Sequence, residues 1–453
     1  MVDIAALTAI VGVENVRTDA ETLARMVPAW SVPVLKQRQA GEGATAAAVV
    51  YPGSAAETAA MVAWARQSGT PLYPVGGLST TVEAVKPAPT GVALDLSRLT
   101  GLTVDEESLQ ATVGTGWRWN ELETTLNEQQ YTLGQVPRSA KLLTVGGAIA
   151  TNAVGAFSGR YGRVGERVAA LEVVTGTGEV LNLHRAASFD LLNLFVGSEG
   201  QLGILTAATL ELRVQPEVQA WMAFTFRNLD DALDAARLIY RTDSRPTLVR
   251  VFDAEAAAPY SPGARALLLA MVEGDELAQT GMYQLAHAVC QTVGGAGVSS
   301  FVGDSWYGRW QETDFLSANA HPEGIAAVLA VGAEWAQIKA VERAVRDALT
   351  PHISRIAAEL CHPTPHGAAW EFTIEAKAQS GDPEAAAAKY ADLVAQTAEA
   401  VQRAGGRIAH HYGVGRTWQA ALTAERGEAQ MALWKSLKAA FDPDDIFYFG
   451  VFA

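Results

Sequence analysis

Two short segments carry the side chains best suited to chemistry. The first is IAHHYGVGR, Ile408 to Arg416, which gathers His410, His411, Tyr412 and Arg416 around two glycines. Imidazole exchanges protons near neutral pH. Guanidinium grips a carboxylate or phosphate through two parallel hydrogen bonds. In an extended chain His411 faces away from His410 and Tyr412. All three reach one ligand only if the chain bends, and Gly413 and Gly415 are placed to bend it. The second segment is CHPTPHGAAWEFT, Cys361 to Thr373. Its His362, His366 and Glu371 are donor types that zinc accepts. A histidine pair also occurs at ordinary solvated strand ends, and these two segments alone do not separate the readings.

Three further stretches have the composition of ligand-cradling loops. They are PVGGLST from Pro74, TVGGAIATNAVGAFSGRYG from Thr144 to Gly162, and GSEGQLGIL from Gly197 to Leu205. Small residues let backbone amides approach a flat, phosphate-bearing ligand. Each stretch by itself is also compatible with a tight structural turn.

These loops need elements to hold them. Val2 to Gln37 reads as a helical lead-in, and Ala48 to Tyr51 as a strand. Ser54 and Glu57 form a capping box for a helix that stops at Gly69. Thr70 to Pro74 is the next strand, and PVGGLST follows it at once. This is an α/β unit, but it lacks the GxGxxG turn of a dinucleotide fold. Val92 to Leu96 and Leu102 to Val113 read as strands, Trp117 to Leu126 as a helix. Arg167 to Thr175 and Gly178 to Leu183 form a hairpin around TGTGE, and Thr206 to Val214 is a further strand.

After Pro216 the pattern changes. Strands are expected at Trp221 to Phe226, Thr247 to Phe252, Ala266 to Met271, His352 to Leu360 and Ala369 to Ala376. Helices are expected at Leu229 to Tyr240, Leu277 to Val293, Ala333 to Leu349 and Pro383 to Ala404. Asp304 to Gly324 is aperiodic and rich in Trp and Asp. The chain closes with a helix from Met431, then DPDDI and an aromatic tail. Such segregation predicts a separate α+β domain. The expected division is 1–216, 217–425 and 426–453.

The 453 residues suffice for two or three domains. Hydrophobic residues at 49% and charged residues at 18% mark a globular chain rather than a disordered one. A net charge of −15 argues against a nucleic-acid partner, which calls for a basic stripe. Two cysteines, Cys290 and Cys361, form no disulfide framework, so a cytoplasmic location is the expectation. The N-terminus lacks the basic flank of a signal peptide, and no apolar run approaches the ~20 residues needed to span a bilayer.

The three glycine-rich motifs, in this order and spacing, resemble the FAD-binding domain of the vanillyl-alcohol oxidase and para-cresol methylhydroxylase (PCMH) superfamily. Within it the resemblance is to FAD-linked oxidases of the glycolate oxidase, D-lactate dehydrogenase and alkylglycerone-phosphate synthase branch. It is specific from Val49 to Glu217 and weaker beyond. It implies an α+β fold: a PCMH-type two-subdomain FAD-binding domain, and an antiparallel-sheet substrate (cap) domain covered by helices. The C-terminal segment would return to the flavin domain.

By this resemblance Pro74, Val75, Gly76, Gly77, Leu78, Ser79 and Thr80 wrap the FAD pyrophosphate. Thr144, Gly146, Gly147, Thr151, Asn152 and Tyr161 line the flavin. Glu199, Gly203, Ile204 and Leu205 hold its ribityl and adenosine part. Pro137, Ser139 and Gly162 complete the cofactor-binding set. The implied reaction oxidises a CH–OH group of a small 2-hydroxy acid of the glycolate or D-lactate type. In it His411 or His362 takes the hydroxyl proton, hydride moves to flavin N5, Arg416 orients the anion, and Tyr412 belongs to the catalytic set. The alternatives are an ether-forming enzyme like alkylglycerone-phosphate synthase, without net redox, and a non-catalytic FAD-bearing subunit of an oxidase complex. The implied partners are a small anionic substrate and an electron acceptor, with a homodimer or an oxidase complex as the possible assembly.

The chain departs from the family patterns at several places. PxGGGTS has Leu78 for its third glycine and exchanged hydroxyls at Ser79 and Thr80. PDS is PRS, with Arg138 in place of the acid. No His or Cys stands in the pyrophosphate loop for covalent attachment, so the FAD is expected to be non-covalent. The metal-binding HxGDGNxH and EHG patterns are missing, so no metal is expected. Tyr412 stands at the third histidine of HHH, and the family's NPG is Tyr448, Phe449 and Gly450.

Overall fold

In the computed structural model the described residues are 2–447, apart from 27–29, 42–44, 85–86, 187, 243, 245, 313–316, 318, 322 and 379–381. Tyr448, Phe449 and Gly450 therefore lie outside the described residues.

The first half contributes eleven strands: Val16–Arg17 (β1), Ala48–Val50 (β2), Leu72–Val75 (β3), Val92–Asp95 (β4), Leu102–Asp105 (β5), Gln110–Gly114 (β6), Tyr131–Thr132 (β7), Val168–Thr175 (β8), Val180–His184 (β9), Gly203–Glu211 (β10) and Arg213–Val214 (β11). β2, β4 and β3 form a parallel array, with β1 antiparallel on the β2 edge. The helix Ala55–Ser68 crosses from β2 to β3. Its cap is the predicted one: the Glu57 amide donates to Ser54 Oγ at 3.1 Å, and Gly69 closes it with a positive φ. A five-stranded antiparallel sheet, ordered β5-β6-β10-β8-β9, forms the second subdomain. β7 and β11 pair apart from it.

The two subdomains have separate cores. Leu7, Val50, Met61, Leu72 and Leu94 belong to the first, and Ile446 and Phe447 are buried among them. The Leu72 amide donates to the Ile446 carbonyl at 2.8 Å, tying the chain's last described residues to β3. Val113, Leu122, Ile149, Val173 and Phe195 belong to the second core.

The second half adds Val218–Phe226 (β12), Leu248–Asp253 (β13), Ala266–Gly274 (β14), Ala296–Val298 (β15), Gly324–Glu334 (β16), Arg355–Cys361 (β17) and Gly367–Lys377 (β18). They make one seven-stranded antiparallel sheet, ordered β15-β12-β14-β13-β17-β18-β16. Helices Leu229–Ile239, Ile338–Leu349 and Pro383–Arg403 bury their apolar stripes against it. The fold is thus the expected one: a two-subdomain PCMH-type unit and an antiparallel cap covered by helices.

Some sequence expectations are corrected here. β16 lies mostly in residues 325–332, to which no element was assigned, and it takes the first two residues of the helix expected from Ala333, which starts at Ile338. Ten of its eleven residues from Gly324 to Glu334 are not exposed, so period-2 alternation is absent. Its four alanines and two glycines also give little strand signal. Phe301–Arg309 is helical within the supposedly aperiodic stretch. The last helix begins at Gln419 rather than Met431 and is interrupted at Gly427, whose φ is 76°.

Candidate functional site

β3 ends at Val75, and the chain turns directly into Gly76 to Thr80 along one wall of a cleft. The cleft encloses about 1160 Å³, including its open mouth. Ser139, Thr144, Gly146, Gly147 and Thr151 line it from the second subdomain, as do Gly203, Ile204 and Leu205 at the start of β10. Arg138 and Tyr412 also line it.

The cleft suits a long ligand with a phosphate-rich middle. Among the described residues, the amides of Gly77, Leu78, Ser79 and Thr80 donate to no protein acceptor. A row of half-buried, unpaired N–H groups is an anion cradle. The loop can take this path only with a bare Gly77, because a Cβ there would lie 1.7 Å from the Leu142 carbonyl oxygen. The surrounding walls are small and apolar, as a flat ring system requires. The residues present therefore fit FAD.

At one side of the cleft lies a buried polar cluster from the cap. Glu371 sits mid-strand in β18, and His362 follows β17. His410 to Tyr412 run beside the edge strand β16: Arg407 and Gly332 exchange backbone hydrogen bonds, and the His410 amide donates to the Ala330 carbonyl. The bend needed to bring successive side chains together is supplied by Ala409 (φ 49°) and Tyr412 (φ 75°) as well as by Gly413 and Gly415. A tyrosine with that φ is strained by about 1–3 kcal/mol, which the surroundings must hold.

Nε2 of His411 lies 2.7 Å from Oε1 of Glu371, and the Tyr412 hydroxyl donates to the same oxygen at 3.0 Å. Nδ1 of His411 is 3.0 Å from Nδ1 of His410. Nε2 of His410 receives Nη2 of Arg163 at 2.9 Å. Nδ1 of His362 is 2.7 Å from the Ser158 hydroxyl. Arg138 lies 3.5 Å from Oε2 of Glu371.

Electrostatics follow from this burial. Desolvation pushes His362, His410 and His411 below the ordinary imidazole value, and raises the Tyr412 hydroxyl well above its own. Burial also works to raise Glu371, but the bond from His411 and the Arg250 and Arg138 guanidiniums outweigh it, so its carboxyl is held low. Glu199 is likewise buried, and desolvation raises it although it accepts from the Val414 and Gly415 amides. Those two bonds fasten the cap segment to the cleft wall.

Cys361, His362, Glu371 and His411 place ligand atoms within 4.8 Å of one another. Yet Glu371, His411 and the Ser158-bonded nitrogen of His362 already have hydrogen-bond partners, and two guanidiniums stand nearby. A cation would have to break these bonds and oppose those charges.

Most expected cofactor residues meet at the cleft: Pro74 to Thr80, Pro137, Ser139, Thr144, Gly146, Gly147, Thr151, Glu199 and Gly203 to Leu205. Asn152, Tyr161 and Gly162 do not line it. Asn152 accepts from the Gly165 amide, the Tyr161 hydroxyl donates to Glu273, and the Gly162 carbonyl accepts from Gln135. His411 and Tyr412 come together, with His362 beside them. Arg416 does not join them: it lines a separate cleft with Glu83 and Tyr390. His366 is exposed on the β17–β18 loop.

Sequence reading named Glu371 only as a donor type that zinc accepts, not as the partner of His411 and Tyr412, and it overlooked Arg163. Glu371 carried a signal, being a lone acid within the apolar run AAWEFTI. Arg163 carried none, because only the fold brings it to His410.

Comparison with known proteins agrees with this architecture. The FAD binding domain family matches residues 46–184, and the family of FAD linked oxidases, C-terminal domain, matches residues 215–448. The chain is 26% identical to alkyldihydroxyacetonephosphate synthase of Dictyostelium discoideum over 446 residues, covering 88% of this chain and 72% of that protein. It is 26% identical to glycolate oxidase subunit GlcD of Bacillus subtilis (strain 168) over 428 residues, covering 88% and 87%. The solved structure of p-cresol methylhydroxylase with substrate bound superimposes with a TM-score of 0.79 at 16% identity, over 98% of this chain and 94% of that one. With matching cofactor and cap regions on either side of one cleft, this chain belongs to the FAD-linked oxidases.

Proposed function

We propose that this FAD-linked oxidase oxidises the CH–OH group of a small 2-hydroxy acid of the glycolate or D-lactate type. The observation that carries the proposal is that Arg138 and Tyr412 line the cofactor cleft together, with Glu371 joining them behind it. A guanidinium there suits a carboxylate, and a buried hydroxyl backed by a carboxylate suits proton removal. Similarity to GlcD points the same way. When bound, FAD accepts the hydride and holds the electrons until an acceptor removes them.

In this reading Gly77 to Thr80 bind the pyrophosphate, Arg138 orients the substrate anion, and closure by the cap excludes water. Residues 1–216 hold the cofactor, 217–425 cover it, and the closing segment from 426 returns to the first subdomain by Ile446 and Phe447. The FAD is non-covalent, since no His or Cys lines the cleft among the described residues. No described helix is long and apolar enough to cross a membrane, and we place the protein in the cytoplasm. Its electron acceptor is a separate molecule.

The rival is an ether-forming reaction without net redox, favoured by similarity to the Dictyostelium enzyme. Anaerobic mixing with a hydroxy-acid panel separates the two. Loss of flavin colour with an oxo acid formed supports oxidation, and its absence across the panel contradicts it.

A further inference from the structure

The direction of the hydrogen bonds around His411 assigns its protons. A guanidinium only donates, so Nε2 of His410, 2.9 Å from Arg163, must accept. The remaining proton of the neutral His410 ring is then on Nδ1. That nitrogen faces Nδ1 of His411 at 3.0 Å, which must accept in turn. His411 therefore carries its proton on Nε2 and donates it to Oε1 of Glu371 at 2.7 Å. An imidazolium at either ring would set two N–H groups against each other. Neither nitrogen of His411 is open to a ligand.

The group that does reach the cleft is Tyr412. Its hydroxyl donates to the same carboxylate oxygen at 3.0 Å. We infer that Tyr412 takes the substrate's hydroxyl proton and passes its own to Glu371, while Arg163, His410 and His411 act only to hold that carboxylate in place. The inference rests on the oxidation proposed above. In the proton step the substrate O–H and the Tyr412 O–H break. A new O–H forms on Tyr412 and another on Oε1 of Glu371. The products of this step are a substrate alkoxide and a neutral Glu371 carboxyl, and the hydride that leaves carbon is the flavin's share.

Glu371 is a poor proton acceptor while the cleft is empty, because the bond from His411 and nearby guanidiniums hold it ionised. One of those guanidiniums, Arg138, lies 3.5 Å from Oε2 and lines the cleft. A substrate carboxylate that engages Arg138 draws this charge away and adds a negative one. Both effects raise the proton affinity of Glu371 when substrate is seated. Tyr412 holds a strained φ of 75°, and its hydroxyl meets Oε1 of Glu371 at 3.0 Å.

Two measurements on the FAD-loaded full chain test the inference. In protein labelled with nitrogen-15 histidine, NMR at neutral pH should find His411 protonated on Nε2 alone and His410 on Nδ1 alone. An imidazolium at His411, or a bare Nε2, overturns the assignment whether or not a substrate is known. With a hydroxy acid that bleaches the parent, Tyr412→Phe should bind substrate yet reduce at least ~100-fold more slowly. It should also lose the solvent deuterium isotope effect on reduction. His411→Gln, whose amide still donates to Glu371, should slow by less than ~10-fold, the worth of one weakened hydrogen bond. Parent-like reduction by Tyr412→Phe, or a loss of ~100-fold or more in His411→Gln, returns the proton to His411 and overturns the inference. Bleaching by no hydroxy acid defeats the oxidation itself, and the histidine spectra still decide the proton assignment.

Discussion

Nη1 of Arg138 lies 3.5 Å from Oε2 of Glu371, so a residue of the cofactor domain answers a carboxylate in the cap. The same guanidinium stacks over Trp310, with its centre 5.1 Å from the ring centroid. Arg138 rather than Arg416 is thereby set beside Tyr412. Arg138→Lys should weaken substrate binding by at least ~10-fold, since an ammonium gives up the planar fork worth about 1.5–3 kcal/mol. Arg416→Lys, in its separate cleft, should bind like the parent. Titration of substrate against the flavin spectrum reads both. Equal affinities for Arg138→Lys and the parent contradict this placement.

Gly147→Val should abolish FAD binding and leave the fold intact. A Cβ at Gly147 meets no backbone atom: it lies 3.3 Å from the Thr144 hydroxyl oxygen, which must give by a few tenths of an ångström, and in ordinary contact with a Leu143 methyl at 3.5 Å. The branches beyond Cβ instead enter space that the cofactor needs. Flavin absorbance after purification, beside the circular dichroism of the parent, checks the outcome. Acid precipitation of the parent should release all its flavin to the supernatant, and yellow colour in the pellet would refute non-covalent binding.

Chelation should leave activity unchanged. Glu371 and His411 spend their ligand atoms on Tyr412, His410 and each other, although Cys361, His362, Glu371 and His411 are near enough to suggest a metal. Dialysis against EDTA followed by assay is the check. Activity lost and restored by zinc or manganese would show that a cation outcompetes these bonds.

Stability should fall as pH drops through the histidine range. His362, His410 and His411 are held, chiefly by desolvation, below their ordinary value of 6.5. Between the depressed folded values and 6.5 the unfolded chain binds more protons. Stability is therefore full above 6.5 and is lost as pH falls below it, by up to about 1.4 kcal/mol per pH unit for each histidine. Glu371 adds to this at lower pH, because its carboxyl is held low in the fold. Urea midpoints of the holoprotein from about pH 7.5 to about 5.5 measure the slope. A flat profile would mean that these imidazoles are not buried and neutral.

Much of this architecture is legible in the chain because local signals and tertiary demands coincide. Ser54, Glu57 and Gly69 announce one helix at both ends, and β5, β6 and β9 alternate as half-buried strands do. β16 escaped because its neighbours bury it almost throughout and its alanines favour no strand. At the site, the glycine loops were readable since close backbone approach leaves a compositional trace. Arg416 misled because sequence adjacency to His411 is not spatial adjacency once Gly413 and Gly415 turn the chain. The Arg163–His410 contact joins residues 247 positions apart, and nothing local encodes it.

The oxidation is tested most directly by anaerobic rapid mixing of the FAD-loaded protein with glycolate and D-lactate. The account predicts that at least one member of this class bleaches the flavin, with one oxo acid formed per flavin reduced and colour restored by an added electron acceptor. If neither these acids nor other small 2-hydroxy acids reduce the flavin, while an acylated glycerone phosphate bleaches it with no acceptor consumed, the oxidation is contradicted and the ether-forming reaction stands in its place.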